Sequence, residues 1–175
     1  MGRFLERLLG AARFDVKVFE EVEADRGATG QAMLVILLSS LAGGVGDPAG
    51  LGIIGVVVGF VADLLGWIIW AALIYVLGAK VFPEKRTVSD VGELLRTTGF
   101  AAAPGLVRVL GFIPGAVLIV QIVATVWMLI TMVIAVRQAL DYTSTKRAIL
   151  VCVAGWTVAS VIAVVLASLY GPVIL

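Results

Sequence analysis

The sequence contains no histidine, a single cysteine and five prolines, and charged residues make up only 14% of its 175 positions. Each shortage excludes something. Without histidine there is no Ser-His-Asp triad, no HExxH zinc site and no imidazole general base. The lone thiol, Cys152, cannot close an intramolecular disulfide, and inside an apolar run it reads as a packing residue. A net charge of +1 supplies no basic field for nucleic acid. No two acids share an apolar run, as an aspartyl-protease mechanism would require. No enzymatic activity, metal or cofactor is expected, and nucleic acid is not an expected partner.

What the chain has instead is apolar residues, 61% of the total, with a mean hydropathy of +1.12. An ordinary soluble domain is about 45–50% apolar. Five apolar segments stand out: Ala28 to Val45, Leu51 to Ala79, about Gly92 to Ile113, Pro114 to Val136, and Ala148 to Tyr170. Several reach the ~20 residues that a bilayer crossing needs. They show no period-2 alternation, and backbone groups in lipid must be satisfied within the segment, so helices are expected. The Asp47-Pro48 pair ends the first segment, and Gly111 to Gly115 makes the turn between the third and fourth.

The basic residues fix an orientation. All of them except Arg108 precede segment one, lie between segments two and three, or lie between four and five. The positive-inside rule therefore places the N-terminus in the cytoplasm and the C-terminus outside. The fold class expected is an all-α integral membrane protein with five transmembrane helices. It divides into a cytoplasmic segment, residues 1–27, and a transmembrane domain, residues 28–175.

Residues 1–27 carry charge throughout, so a cleaved signal peptide is not expected. Glu6 stands where a myristoylation pattern needs Ser or Thr. Phe4, Leu5, Leu8 and Ala12 share one helical face, which predicts a short amphipathic helix on the inner leaflet. Glu20, Glu21, Glu23 and Asp25 follow as an acidic patch, read as a solvated linker or a docking surface.

Segment three begins at a capping box predicted at Thr87 and Asp90, and Pro104 is expected to kink it in its middle. Arg108 falls within it, costly in lipid by ~3 kcal/mol or more. Its candidate partners are Gln121, across the hairpin, and Asp63, the one acid inside an apolar span. Asp63 lies roughly 18 Å from the outer end of its helix, deeper than Arg108. The expectation is an intramembrane polar cluster of Asp63, Arg108 and Gln121 that pins helix register; the alternative is a proton or cation site at Asp63. Gly52, Gly55, Gly59, Asp63, Gly66 and Trp70 form one stripe on segment two, which places Asp63 on a small-residue face, and Gly155, Ala159, Ala163, Ala167 and Gly171 form another on segment five. Such faces let another helix approach closely, within the bundle or in a homo-oligomer.

The pattern resembles the Yip-domain family, the Ypt-interacting membrane proteins, in its prokaryotic branch. The resemblance rests on five spans with the N-terminus inside and on Gly99-Phe100-x-x-x-Pro104, which is similar to that family's Gly-Tyr-x-x-x-Pro element. FEEVEAD, ATGQA, LLRTTGFAAAPG and AVRQALDY add to it, in that order along the chain. Eukaryotic members are linked to prenylated Rab-type GTPases and vesicle traffic through a longer N-terminal region with an Asp-Leu-Tyr-Gly-Pro element, which is missing from the N-terminal region here. The resemblance implies fold and topology more than activity. The expected role is non-enzymatic membrane organisation or scaffolding in a bacterial cytoplasmic membrane, with the bilayer, further copies or other membrane proteins as partners. A small transporter or channel using Asp63 and Arg108 is the alternative.

Overall fold

The computed structural model describes residues 2–46 and 52–170. The Asp47-Pro48 turn and Gly171 lie outside the described residues. Seven α-helices follow in order: α1 Gly2–Ala12, α2 Val16–Ala24, α3 Ala28–Gly46, α4 Gly52–Tyr75, α5 Val91–Phe100, α6 Val117–Ala139 and α7 Thr145–Tyr170. A π-helical turn, Val76–Val81, extends α4, and a 3₁₀ segment, Ala103–Phe112, follows α5.

Among the described residues four helices are long and apolar enough to cross a membrane: Ala28–Gly46, Gly55–Val81, Val117–Ala139 and Thr145–Val165. The third expected span is not one helix. Its start is capped by Asp90 and Glu93, whose side chains and backbone bond reciprocally, rather than by Thr87 and Asp90. The α-helix ends at Phe100, and Pro104 stands in the first turn of the 3₁₀ segment instead of kinking a continuous helix. The reason is chemical. Proline has no N–H to offer the Phe100 carbonyl, while its fixed φ suits the opening turn of a new helix.

A 3₁₀ run of ten residues is unusually long. This one is held on two sides, by α3 and by α6. With three residues per turn, Ala102, Gly105, Arg108 and Gly111 align on one face. Gly105 meets the Ser39 side chain, and the backbones of Arg108 and Gly111 meet Gly46 with no room for a Cβ. One turn earlier, a Cβ on Gly99 would stand 2.7 Å from that of Ala32. Contacts thus advance together from Ala32 to Gly46 on α3 and from Gly99 to Gly111 beside it. The two segments run parallel over about 21–24 Å of helical rise.

Two clusters of buried side chains form the core. Phe19 and Val22 of α2, Ala28, Ala32 and Val35 of α3, Trp67 of α4 and Phe100 of α5 belong to the first. Ile74, Leu94, Val136, Leu140, Val151 and Cys152 belong to the second. Burial is concentrated at the end of the bundle that carries the loops 82–90 and 140–144. Gly155 of α7 packs on Ile74 and Trp70 of α4, and Trp70 stacks on Trp156 with centroids 5.9 Å apart. Beyond this point most described side chains of α7 are exposed, and so are most of those in the first half of α4. Tyr142 closes the loop end: its hydroxyl lies 2.8 Å from the carbonyls of Gly78 and Phe82, which the π turn leaves available. Burial pushes its phenol up to about 12.

The N-terminal residues form a docked hairpin rather than a linker. Arg7 is 2% exposed and holds Glu21 at 2.8 Å, Asp25 at 2.7 Å and Gln31 at 3.0 Å. Arg96 of α5 donates to the carbonyls of Val22 and Glu23, at 3.0 Å each, and so caps α2. Trp127, midway along α6, donates to the Ala12 carbonyl at 2.7 Å. Leu5 and Leu9 of α1 stay exposed on the outside of this hairpin.

Candidate functional site

Between α3, α4, α6 and the 3₁₀ segment lies a cleft of about 320 Å³ whose walls include Ser39, Asp63, Trp67, Trp70, Arg108 and Met128. Each wall residue is there for a local reason. The three-residue repeat of the 3₁₀ segment turns Arg108 toward α3, where Gly43 leaves room: the guanidinium lies 3.4 Å from where a Cβ on Gly43 would stand. Arg108 Nη2 donates to Ser39 Oγ at 2.8 Å and to the Ser39 carbonyl at 3.3 Å, and Nε donates to the Gly105 carbonyl at 3.2 Å. Nη1 has no protein acceptor among the described residues. Trp67 donates to the Leu95 carbonyl at 3.1 Å and to Thr98 Oγ1 at 3.2 Å, which fixes the α4 wall against α5. Trp70 presents an enclosed indole N–H with no acceptor among the described residues.

Asp63 and Arg108 face one cleft, but no ion pair within 4.0 Å joins them. Asp63 is exposed on the bundle surface. Gln121 is partly exposed on α6 and does not line the cleft. Of the motif residues, Gly99 packs against Ala32 and Trp67, Phe100 is fully buried with its ring 6.5 Å from that of Phe4, and Pro104 is buried. Gly55 is partly exposed, and Gly59 and Gly66 have nothing within 4 Å of a would-be Cβ. Gly155 is packed, whereas Ala159, Ala163 and Ala167 are exposed.

The charged groups that matter most to the docked N-terminus are Arg7 and Arg96, which in the sequence stood out only among the basic residues that set the orientation. One signal existed: Glu21 and Asp25 are four residues apart, a spacing that aims two carboxylates at one cation. Arg7 holds the Asp25 carboxyl below its ordinary value, chiefly by hydrogen bonding. Burial, then the charges of Asp141 and Glu93, raises Glu23 to about 7. No group of three or more metal-binding side chains occurs among the described residues.

The Yip1 domain model matches residues 16–167, from α2 through nearly all of α7. Comparisons with curated proteins and with solved structures give no match. The matched region contains the α2 dock, the broken third segment with Gly99, Phe100 and Pro104, and both walls of the cleft, in a chain with apolar helices able to span a bilayer. The chain is a multi-pass membrane protein and belongs to the Yip1 domain family.

Proposed function

We propose that the protein is a non-enzymatic organiser of membrane assemblies, placed in a bacterial cytoplasmic membrane with its N-terminus in the cytosol. Five crossings fit this reading. The parallel run of Gly99 to Gly111 beside Ala32 to Gly46 supports counting the α5–3₁₀ segment as a crossing. Such irregular backbone is tolerated at membrane depth where protein covers it. Residues 1–27 form the N-terminal segment, which enters from the cytosolic side and docks against the flank of α6, and residues 28–175 form the membrane domain. The prokaryotic branch is supported by the resemblance carried by FEEVEAD and AVRQALDY.

One observation carries the organising role. Small residues on two spans, Gly59 and Gly66 on α4 and Ala159, Ala163 and Ala167 on α7, have been left open by the chain's own helices. In lipid, such faces associate by close van der Waals packing rather than by the hydrophobic effect. The occupant is a further membrane helix, from a second copy or another protein. Single cysteines at Gly59 and Ala163, in a Cys152→Ala background, test this in native membranes. Oxidative cross-linking that disappears with Gly66→Leu or Ala159→Leu is expected. Cross-linking at neither position would overturn the reading.

A second reading, a small transporter, is favoured by the shared cleft of Asp63 and Arg108. It requires proton or cation flux in proteoliposomes that vanishes with Asp63→Asn, and a wild-type protein without flux rules it out.

A further inference from the structure

The cleft between α3 and α4 poses a charge problem that neither reading above resolves. Its two ionised side chains have opposite sign, share one cavity and do not pair. Arg108 is held from behind by Ser39 and Gly105, so its guanidinium is fixed while Nη1 has no acceptor among the described residues. Asp63 is exposed, yet it stands opposite Ser39 and Ser40, well inside both ends of α3. With α3 and α4 spanning the bilayer, the medium at that surface is acyl chain. A bare carboxylate there is costly and calls for a cation arriving through the lipid phase.

We propose that this cleft binds the zwitterionic headgroup of a phospholipid, with the phosphate on Arg108 and the ammonium on Asp63. Charge balance selects this class of ligand. A simple anion would satisfy Arg108 and be repelled by Asp63; a metal cation would do the reverse. A group that carries both charges on a short linker leaves the cleft neutral and both side chains bonded. Met128 and Met132 line the cleft with flexible apolar surface, suited to the first carbons of an acyl chain. The volume of about 320 Å³ stands at the lower end of the range for ligand sites. Because the cleft opens sideways at Asp63, the source is a membrane lipid and not a dissolved zwitterion. The proposal rests on the bilayer placement of α3 and α4, not on the organising role.

Native mass spectrometry of the full chain, released from nanodiscs of equal phosphatidylethanolamine and phosphatidylglycerol, tests it. The wild-type protein is expected to retain phosphatidylethanolamine preferentially. Asp63→Asn is expected to lower that preference on the order of tenfold, the effect of losing one charge-assisted bond. Asp63→Ser, a smaller neutral side chain at the same position, decides the matter should Asp63→Asn fail to fold; it too is expected to lower the preference. Equal retention of the two lipids by the wild type overturns the proposal, as does wild-type preference in both variants. Displacement of the retained lipid by soluble O-phosphoethanolamine would move the ligand from membrane to solution and overturn the lipid assignment. Cross-linking between α4 and α7 faces is independent of all these results.

Discussion

Glu23 sits half-buried at the end of α2, with Asp141 and Glu93 adding negative charge nearby, and its carboxyl rises from the ordinary 4.5 to about 7. A raised acid pKa means that the folded protein binds the proton more tightly than the unfolded chain. The stability this provides is fully present below about pH 4.5 and is lost as pH rises through about 7. Asp25 acts in the opposite sense, because Arg7 lowers its pKa; its contribution is lost only as pH falls below its ordinary 3.8. The two windows do not overlap. Thermal unfolding in nanodiscs should therefore show a midpoint that falls between pH 4.5 and 7 and then levels. Glu23→Gln should flatten that slope. A midpoint equally sloped in wild type and variant would remove Glu23 as its cause.

At the scale of elements, the seam between α3 and the 3₁₀ segment makes a sharp contrast among glycines. A Cβ on Gly111 collides with the Gly46 backbone, whereas one on Gly66 meets open space. Backbone cannot yield as a side-chain tip can. Gly111→Ala should destabilise the protein by about 1–3 kcal/mol or more, and Gly66→Ala should stay within about 0.5 kcal/mol; denaturant titration of the two variants checks this. The sequence made the long helices legible, because unbroken apolar runs of bilayer length admit little else. It also marked Pro104, Arg108 and the capping region as special. What it could not convey is the switch from α to 3₁₀ after Pro104. That switch depends on support from α3 and α6, which no local pattern encodes. The Arg7 dock was hidden for a similar reason: Glu21, Asp25 and Gln31 are brought to Arg7 by the fold of α1 onto α2 and α3, with Phe14 of the α1–α2 turn at a φ of 65. Asp63 and Arg108 were legible as a charged pair in lipid, but their joint access to one cleft emerged only from the fold.

For the whole molecule, the uneven distribution of packing defines two ends. Near the end of the bundle where most of the basic residues lie, helices touch through Gly155, Gly78 and the buried Tyr142. Toward the other end α4 and α7 expose their small-residue faces. With five crossings, Gly115 and Thr143 lie on opposite sides of the membrane. Cysteine at position 115, with Cys152 replaced, should react with an impermeant maleimide in intact cells. Cysteine at position 143 should react only in inverted vesicles. The reverse pattern, position 115 reacting only in inverted vesicles and position 143 in intact cells, would reduce the count to four and leave the α5–3₁₀ segment as a re-entrant loop.

The tight winding of Ala103–Phe112 has a practical meaning for reading other chains. A 3₁₀ turn advances about 2.0 Å per residue against 1.5 Å for an α turn. A polypeptide wound this way covers a given depth with roughly a quarter fewer amino acids, and it tolerates the proline and glycines that hydropathy windows penalise. Topology methods that require one long greasy rod will therefore miscount passes wherever a neighbour shelters such a stretch, and an even tally will put the two ends of the chain on the same face.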